Sequence, residues 1–285
     1  MSIAARARVS IAYWWRHGRW PNLDQPRRFT EWVQWRKLND RDQGLARLTD
    51  KSVAKRVAAE RLGPPFVIPT LWRGRDLPEL PPAPLPLIAK ANHGCSQFVV
   101  VETPGDWQRA RQIAPRWLTL SYGRWLNEWH YGAAERDIIV EPFVGDGGKL
   151  PLDYKVYVFG GRAEMVQVHQ DRQSNHRWSQ WSREWQPLSA NARDLLPPCS
   201  LPTMLDAAER LAGNQDFLRV DFYEVGGQPL FGEFCLFPGS GLDPFDPVDL
   251  DTRLGALWTA QHPHHVLAPT QPYAALANSI LGLPQ

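Results

Sequence analysis

Two alternating runs in the last quarter of the chain, Arg219-Val220-Asp221-Phe222-Tyr223 and Phe231-Gly232-Glu233-Phe234-Cys235, are joined by Glu224 to Leu230 around Gly226-Gly227. Period-two alternation on both sides of a glycine turn predicts a β-hairpin. A register that sets Asp221 beside Glu233 gathers two carboxylates and Arg219 at one place. That set suits a Mg²⁺ ion carrying phosphate oxygens; a salt-bridged hairpin with a purely structural role would carry the same pattern.

Three further segments add to this hairpin. In Leu87-Ile88-Ala89-Lys90-Ala91-Asn92-His93-Gly94-Cys95-Ser96-Gln97-Phe98-Val99-Val100-Val101, an apolar strand ends in a lysine, a small polar loop follows and a second apolar strand leaves. Backbone N–H groups of such a loop suit phosphate oxygens, with the lysine supplying charge. The G-x-x-x-x-G-K-[ST] pattern of a P-loop is absent. Asp137-Ile138-Ile139-Val140-Glu141-Pro142-Phe143-Val144 is a buried strand entering a glycine-rich connection, whose end suits an adenine edge. In Asp153-Tyr154-Lys155-Val156-Tyr157-Val158, alternation places Asp153, Lys155 and Tyr157 on one face, either toward a ligand or toward solvent.

In this order the segments resemble the ATP-grasp fold, and most of all its TupA-like branch, associated with teichuronopeptide and polysaccharide biosynthesis. The resemblance runs from Pro26 to Gly255. It is carried by Pro26-Arg27-Arg28-Phe29-Thr30-Glu31, Asp50-Lys51 with Lys55, Lys90-Ala91-Asn92-His93-Gly94, Asp153-Tyr154-Lys155, Arg219 to Tyr223, and Phe231-Gly232-Glu233 with Pro238-Gly239-Ser240-Gly241. It implies an α+β chain of two lobes enclosing ATP, with a short helical segment where many relatives carry a Rossmann-like domain. It also implies Lys51 (or Lys55) and Lys90 at the ATP phosphates, the Asn92, His93 and Gly94 loop over them, and Glu141, Phe143 and Val144 around the adenine. Asp153 is expected near the ribose, Lys155 near the γ-phosphate, Asp221 and Glu233 on Mg²⁺, and Arg219 on the transferring phosphoryl group. Arg172, Ser240 and Gly241 are expected to meet the substrate.

The sequence departs from the branch at three positions. The family's third metal ligand falls on Cys235, a poor partner for hard Mg²⁺, while Cys95 replaces a serine and Gln97 a glycine.

The expected boundaries are a helical segment over 1–49, a grasp domain over 50–260 divided at 135/136, and a tail over 261–285. Pro78 to Pro86 reads as an extended, exposed connector. Net charge of +2 argues against an extended nucleic-acid surface. Cys95, Cys199 and Cys235 lack the spacing of a zinc site or disulfide framework. No apolar run is long enough for a bilayer span, so a cytoplasmic protein is expected. Met1 to Arg19 lacks a signal-peptide cleavage site. Its arginines and Trp14-Trp15 suit either packing on the protein or an interfacial helix at the inner face of a membrane.

His169 to Trp185 carries arginines, histidines and tryptophans that suit a sugar or uronate acceptor, or a hairpin with its tryptophans packed inside. The His262-Pro263-His264-His265 cluster reads as a solvated tail. The chemistry implied by the resemblance is ATP- and Mg²⁺-dependent joining of a carboxylate to an amine through an acyl-phosphate. A glycosyltransferase-like protein of polysaccharide assembly, a kinase and a non-catalytic nucleotide-binding homologue are the alternatives.

Overall fold

The computed structural model describes residues 2–145, 148–170, 176–192 and 195–262. Arg172, His264 and His265 lie outside the described residues. In chain order the helices are α1 (Ile3–His17), α2 (Phe29–Asn39), α3 (Gln43–Arg47), α4 (Lys51–Leu62), α5 (Pro104–Trp117), α6 (Leu201–Ala212) and α7 (Val248–Ala260). The strands are β1 (Trp72–Gly74), β2 (Leu87–Ala91), β3 (Phe98–Val101), β4 (Ile138–Pro142), β5 (Asp153–Phe159), β6 (Arg162–Gln170), β7 (Arg177–Ser182), β8 (Phe217–Val225) and β9 (Gln228–Cys235). The described residues form two compact units, one within 41–236 and one of 2–40 with 237–262.

The larger unit holds both sheets. One has the order β1-β4-β2-β3, the other β7-β6-β5-β8-β9, and all their pairings are antiparallel. Thr103 caps α5, which lays Trp107, Ala110, Ala114 and Trp117 on Leu87, Ala89, Val99, Val101, Ile138 and Val140 of the first sheet. Ala83 and Leu85 pack on the same cluster. The proline-rich connector is therefore partly packed rather than fully exposed, because some of its apolar residues join that cluster.

β4 pairs with β2, so the division between the sheets falls beyond Pro142 rather than at 135/136. Similarly, 41–49 joins the larger unit and 237–262 leaves it. Sequence order alone does not set these limits, since they depend on which strand partners which.

In the second sheet α6 turns Met204, Leu205, Ala208 and Leu211 inward, on the side of Val156, Val166 and Val220. The other face of that sheet is polar. Its edge hairpin closes through Gly226 and Gly227, with φ of 58° and 75°, the left-handed pair that a two-residue turn matched to strand twist requires. Asp221 pairs with Glu233, as expected, but Phe222 pairs with Phe231, so Gly232 is the extra residue of a β-bulge. A bulge shifts the alternation by one. It lets Phe231 enter the core at 1% exposure while Glu233 shares the polar face with Asp221.

The smaller unit is held by α2 against α7. Trp32 stacks on Trp258 with centroids 5.8 Å apart, and the Arg36 guanidinium lies 4.5 Å over Trp258. Buried Asp251 accepts from the Thr30 N–H at 2.9 Å and its hydroxyl at 2.8 Å. Gly255 allows the close approach, since a Cβ there would meet the Arg27 carbonyl oxygen at 2.2 Å. Glu31 accepts from the N–H groups of Asn22, Arg27 and Arg28. That ties down the start of α2 and gives the Pro26 to Glu31 motif a structural reason.

Candidate active site

Three cross-strand rows order the polar face of the second sheet. They run Glu233, Asp221, Lys155, Gln167, Gln180; Tyr223, Asp153, His169, Trp178; and Cys235, Arg219, Tyr157, Met165, Ser182. Opposed residues on paired strands lie on the same face, so sheet register alone collects the charges.

Four of these side chains form a buried quartet. Lys155 Nζ lies 2.6 Å from both Asp153 and Asp221. Arg219 donates Nε and Nη2 to the two oxygens of Asp221, at 2.7 and 2.6 Å. Burial alone would raise the Asp221 pKa, but Arg219 and then Lys155 bring it down to about 2. Burial would likewise depress Lys155, and Asp153 followed by Asp221 reverses that. Asp221, Lys155 and Arg219 are all ionised at neutral pH.

Facing this quartet is a cavity lined by Lys51, Lys90, Gly94, Gln97, Asp153, Asp221 and Glu233, with apolar walls from Ile88, Phe98 and Leu150. About 660 Å³ of atom-free space lies in and over it, open solvent at its mouth included. Lys51 Nζ donates to the Gly94 carbonyl oxygen at 2.6 Å and lies 3.9 Å from the partly exposed Glu233. Glu141, 1% exposed, grips Lys55 at 2.5 Å and Lys90 at 2.6 Å. Burial would raise Glu141, but Lys90 and Lys55 pull it below the usual carboxylate range. At Lys55 burial outweighs the pull of Glu141 and lowers the pKa.

Not every residue expected at the ligand turns toward this cavity. Asn92 is fully buried: its amide donates to Asp50 and to the Glu135 carbonyl oxygen, and its oxygen accepts from the Ser52 N–H and hydroxyl. His93 is buried with Nε2 3.0 Å from the Trp117 carbonyl oxygen. Both side chains brace the loop, while Gly94 and Gln97 line the cavity. The Glu141 side chain serves the two lysines, because its burial demands counter-charge. Phe143 is buried, with its N–H donating to the Pro86 carbonyl oxygen, and Val144 is half-buried. Ser240 and Gly241 belong to the smaller unit, where Lys37 and Gln34 donate to them.

The sequence matches the family described as TupA-like ATPgrasp over residues 31–259. The chain belongs to that family. No curated protein matches. Among solved structures, D-alanine–D-alanine ligase from Bacillus anthracis complexed with ATP is 11% identical, with TM-score 0.49 and coverage of 77% of this chain and 66% of that one. L-amino acid ligase from Bacillus licheniformis is 12% identical, with TM-score 0.49 and coverage of 75% and 50%. The ATP-grasp ligase PsnB complexed with a precursor variant, Mg and ADP is 12% identical, with TM-score 0.43 and coverage of 82% and 67%. The chain thus spans half to two-thirds of the length of these ligases.

The donor set of this TupA-like chain fits a nucleotide with Mg²⁺ better than a protein-only metal centre. Among the described residues no three His, Cys, Asp or Glu converge on one point, but Mg²⁺ bound with phosphates needs only one or two carboxylates. Arg219 and Lys155 occupy three of the roughly four acceptor sites of the Asp221 carboxylate, so Glu233 is the more open ligand. Burial pushes the Cys235 thiol up to about 12 despite Arg219, which leaves it neutral. The Gln97 carboxamide oxygen is buried without a hydrogen-bond partner, a polar group ready for a ligand.

The structure adds Lys55 as the partner of Glu141 and Gln167 on the polar face, where it joins His169 of the expected acceptor segment. Tyr157 donates to Gln167 at 2.7 Å, and Gln167 Nε2 lies 2.9 Å from His169 Nε2. The alternation Met165, Gln167, His169 opposite Val166, Val168 was available as the signal. In the His169–Trp185 segment, Trp181 and Trp185 are buried and stack with centroids 4.9 Å apart. Of the tryptophans proposed for an acceptor, only Trp178 stands beside His169 on the polar face.

His169 also predicts an acid response. Burial, then the charges of Lys155 and Arg219, lowers its pKa to about 2, whereas the unfolded chain takes up this proton near pH 6.5, about the free value. Protons bound only by the unfolded state lower stability as pH falls. The melting temperature should drop from about pH 6.5 downward, and less steeply in His169→Gln. Equal slopes for both proteins across pH 7 to pH 4 would remove this role.

Proposed function

We propose that this chain is an ATP- and Mg²⁺-dependent carboxylate–amine ligase that forms an amide through an acyl-phosphate. The observation that carries the reading is the cavity lined by Lys51, Lys90, Asp153 and Asp221, in which both acids pair with Lys155 and Asp221 also pairs with Arg219. A substrate carboxylate attacks the γ-phosphorus of ATP, giving acyl-phosphate and ADP. An amine then attacks the acyl carbon and inorganic phosphate leaves. Charge accumulates on phosphoryl oxygens in both steps, and Lys90, Lys155 and Arg219 oppose it by position and charge without a covalent enzyme intermediate. Glu233 and Asp221 would hold Mg²⁺, which would supply further neutralisation of the phosphates. The loop from Asn92 to Gln97 keeps water from the acyl-phosphate.

The acceptor binds along the row of Gln167, His169 and Trp178. Assembly of a surface polysaccharide or peptide conjugate on the cytoplasmic side, where ATP is available, is the setting that the resemblance favours. A non-catalytic nucleotide-binding homologue is the second reading, favoured by the engagement of Asp221 with Arg219 and Lys155 and by the thiol at Cys235.

The test is incubation with ATP, Mg²⁺ and panels of acids and amines, following ADP and phosphate release. ADP release that requires both an acid and an amine supports the ligase; nucleotide binding without any turnover supports the second reading. Lys90→Ala should bind nucleotide about tenfold or more weakly, as expected for loss of a charge-assisted contact worth about 1.5–3 kcal/mol. Lys55 still compensates Glu141 in this variant, so it should fold. Titration of ADP by calorimetry checks the effect, and unchanged affinity would remove Lys90 from the site.

A further inference from the structure

We infer that α1 is a docking surface for an anionic lipid bilayer, independent of the ligase reading. α1 buries one face through Val9 and Tyr13. Its opposite face carries Ile3, Ala7, Ile11, Trp14 and Trp15 at successive helical turns, with Ile3 85%, Ile11 48% and Trp15 79% exposed. No described helix is long and apolar enough to cross a membrane, and α1, about 22 Å long at about 1.5 Å per residue, suits a position along the surface instead. Trp14 stacks on Trp20 with centroids 5.8 Å apart, so the indoles form a platform at one end of the stripe.

Charge selects the occupant. The first 23 residues contain Arg6, Arg8, Arg16, Arg19 and His17 and no Asp or Glu. Arg6 is paired with Asp24 and Arg19 with Asp251. Arg16 donates Nε to the Leu242 carbonyl oxygen, a contact that leaves its positive charge in place. A segment with an excess of arginine and an apolar stripe opposes a second copy of itself and attracts phosphate headgroups, into which tryptophan and isoleucine insert at shallow depth. Tryptophan is also the residue enriched at the boundary between hydrocarbon and water.

The experiment is co-sedimentation of the full chain with vesicles of phosphatidylcholine alone or mixed with phosphatidylglycerol, at low and high salt. Binding is expected to the mixed vesicles, to weaken with salt, and to fall about tenfold or more in Ile3→Ser/Ile11→Ser/Trp15→Ser. These positions face away from the packed side, so the melting temperature should hold. If that variant fails to fold, Arg8→Gln/Arg16→Gln carries the test, with the same expected loss on mixed vesicles. Absence of wild-type binding, equal binding to both vesicle types, or unchanged binding in a folded variant would overturn the proposal. Vesicle-independent self-association abolished by the same substitutions would assign the stripe to a second copy instead.

Discussion

Asp221→Asn is expected to abolish Mg²⁺-dependent ADP release and to destabilise the protein, whereas Glu233→Gln is expected to abolish release with little loss of stability. The difference lies in what each carboxylate neutralises. Asp221 is 2% exposed and sits against both Lys155 and Arg219. Removing its charge leaves two buried cations with Asp153 as their nearby counter-charge, and breaking such a buried arrangement costs about 3–5 kcal/mol. For a chain of this size that corresponds to roughly 10 °C in melting temperature. Glu233 is partly exposed, with Lys51 at 3.9 Å, and an exposed pair contributes about 0–1 kcal/mol. Turnover and melting temperature measured on the same preparations separate the two roles. Wild-type stability in Asp221→Asn would contradict the counter-charge argument, and retained turnover in folded Glu233→Gln would remove the catalytic reading of the hairpin.

Glu141→Gln should be the most damaging single change in the first sheet. Glu141 bridges Lys55 and Lys90 from inside the fold, and Lys55 is itself buried, with Thr70 as its other hydrogen-bond partner among the described residues. The expected cost is again about 3–5 kcal/mol. Because ADP phosphates bring negative charge to Lys90 under the proposed function, ADP should raise the melting temperature of this variant, as any ligand of the native state does. Thermal melts with and without ADP measure both effects. A Glu141→Gln protein melting like wild type would mean that the lysines find compensation elsewhere.

The hairpin was legible because everything that defines it is local: alternation, a Gly-Gly turn, and one acid on each strand. The same is true of the α4 cap, where Asp50 accepts from the Ser52 and Val53 N–H groups. The role of Asn92 was not legible. The motif around it suggests a phosphate loop, but its side chain joins Asp50 to the Glu135 segment, a link across 43 residues of sequence that no local pattern encodes. The pairing of Glu141 with Lys55 is hidden for the same reason, since the two lie 86 residues apart in the sequence. Local patterns likewise do not encode the return of β4 to β2 within the larger unit, or the docking of α7 on α2 through Asp251 and Thr30.

The extra residue at Gly232 means that β9 is written in two reading frames. From Gln228 to Phe231 the strand is in phase with the core; from Glu233 to Cys235 it is in phase with the charged rows. Deleting any one residue between Leu230 and Glu233 would force a choice between Phe231 inside and Glu233 beside Asp221. Lengthening the exposed Gly226-Gly227 turn would disturb neither frame. Chemistry and packing in this hairpin are thus coupled through a count of residues rather than through a contact, and substitutions that keep the count leave that coupling intact.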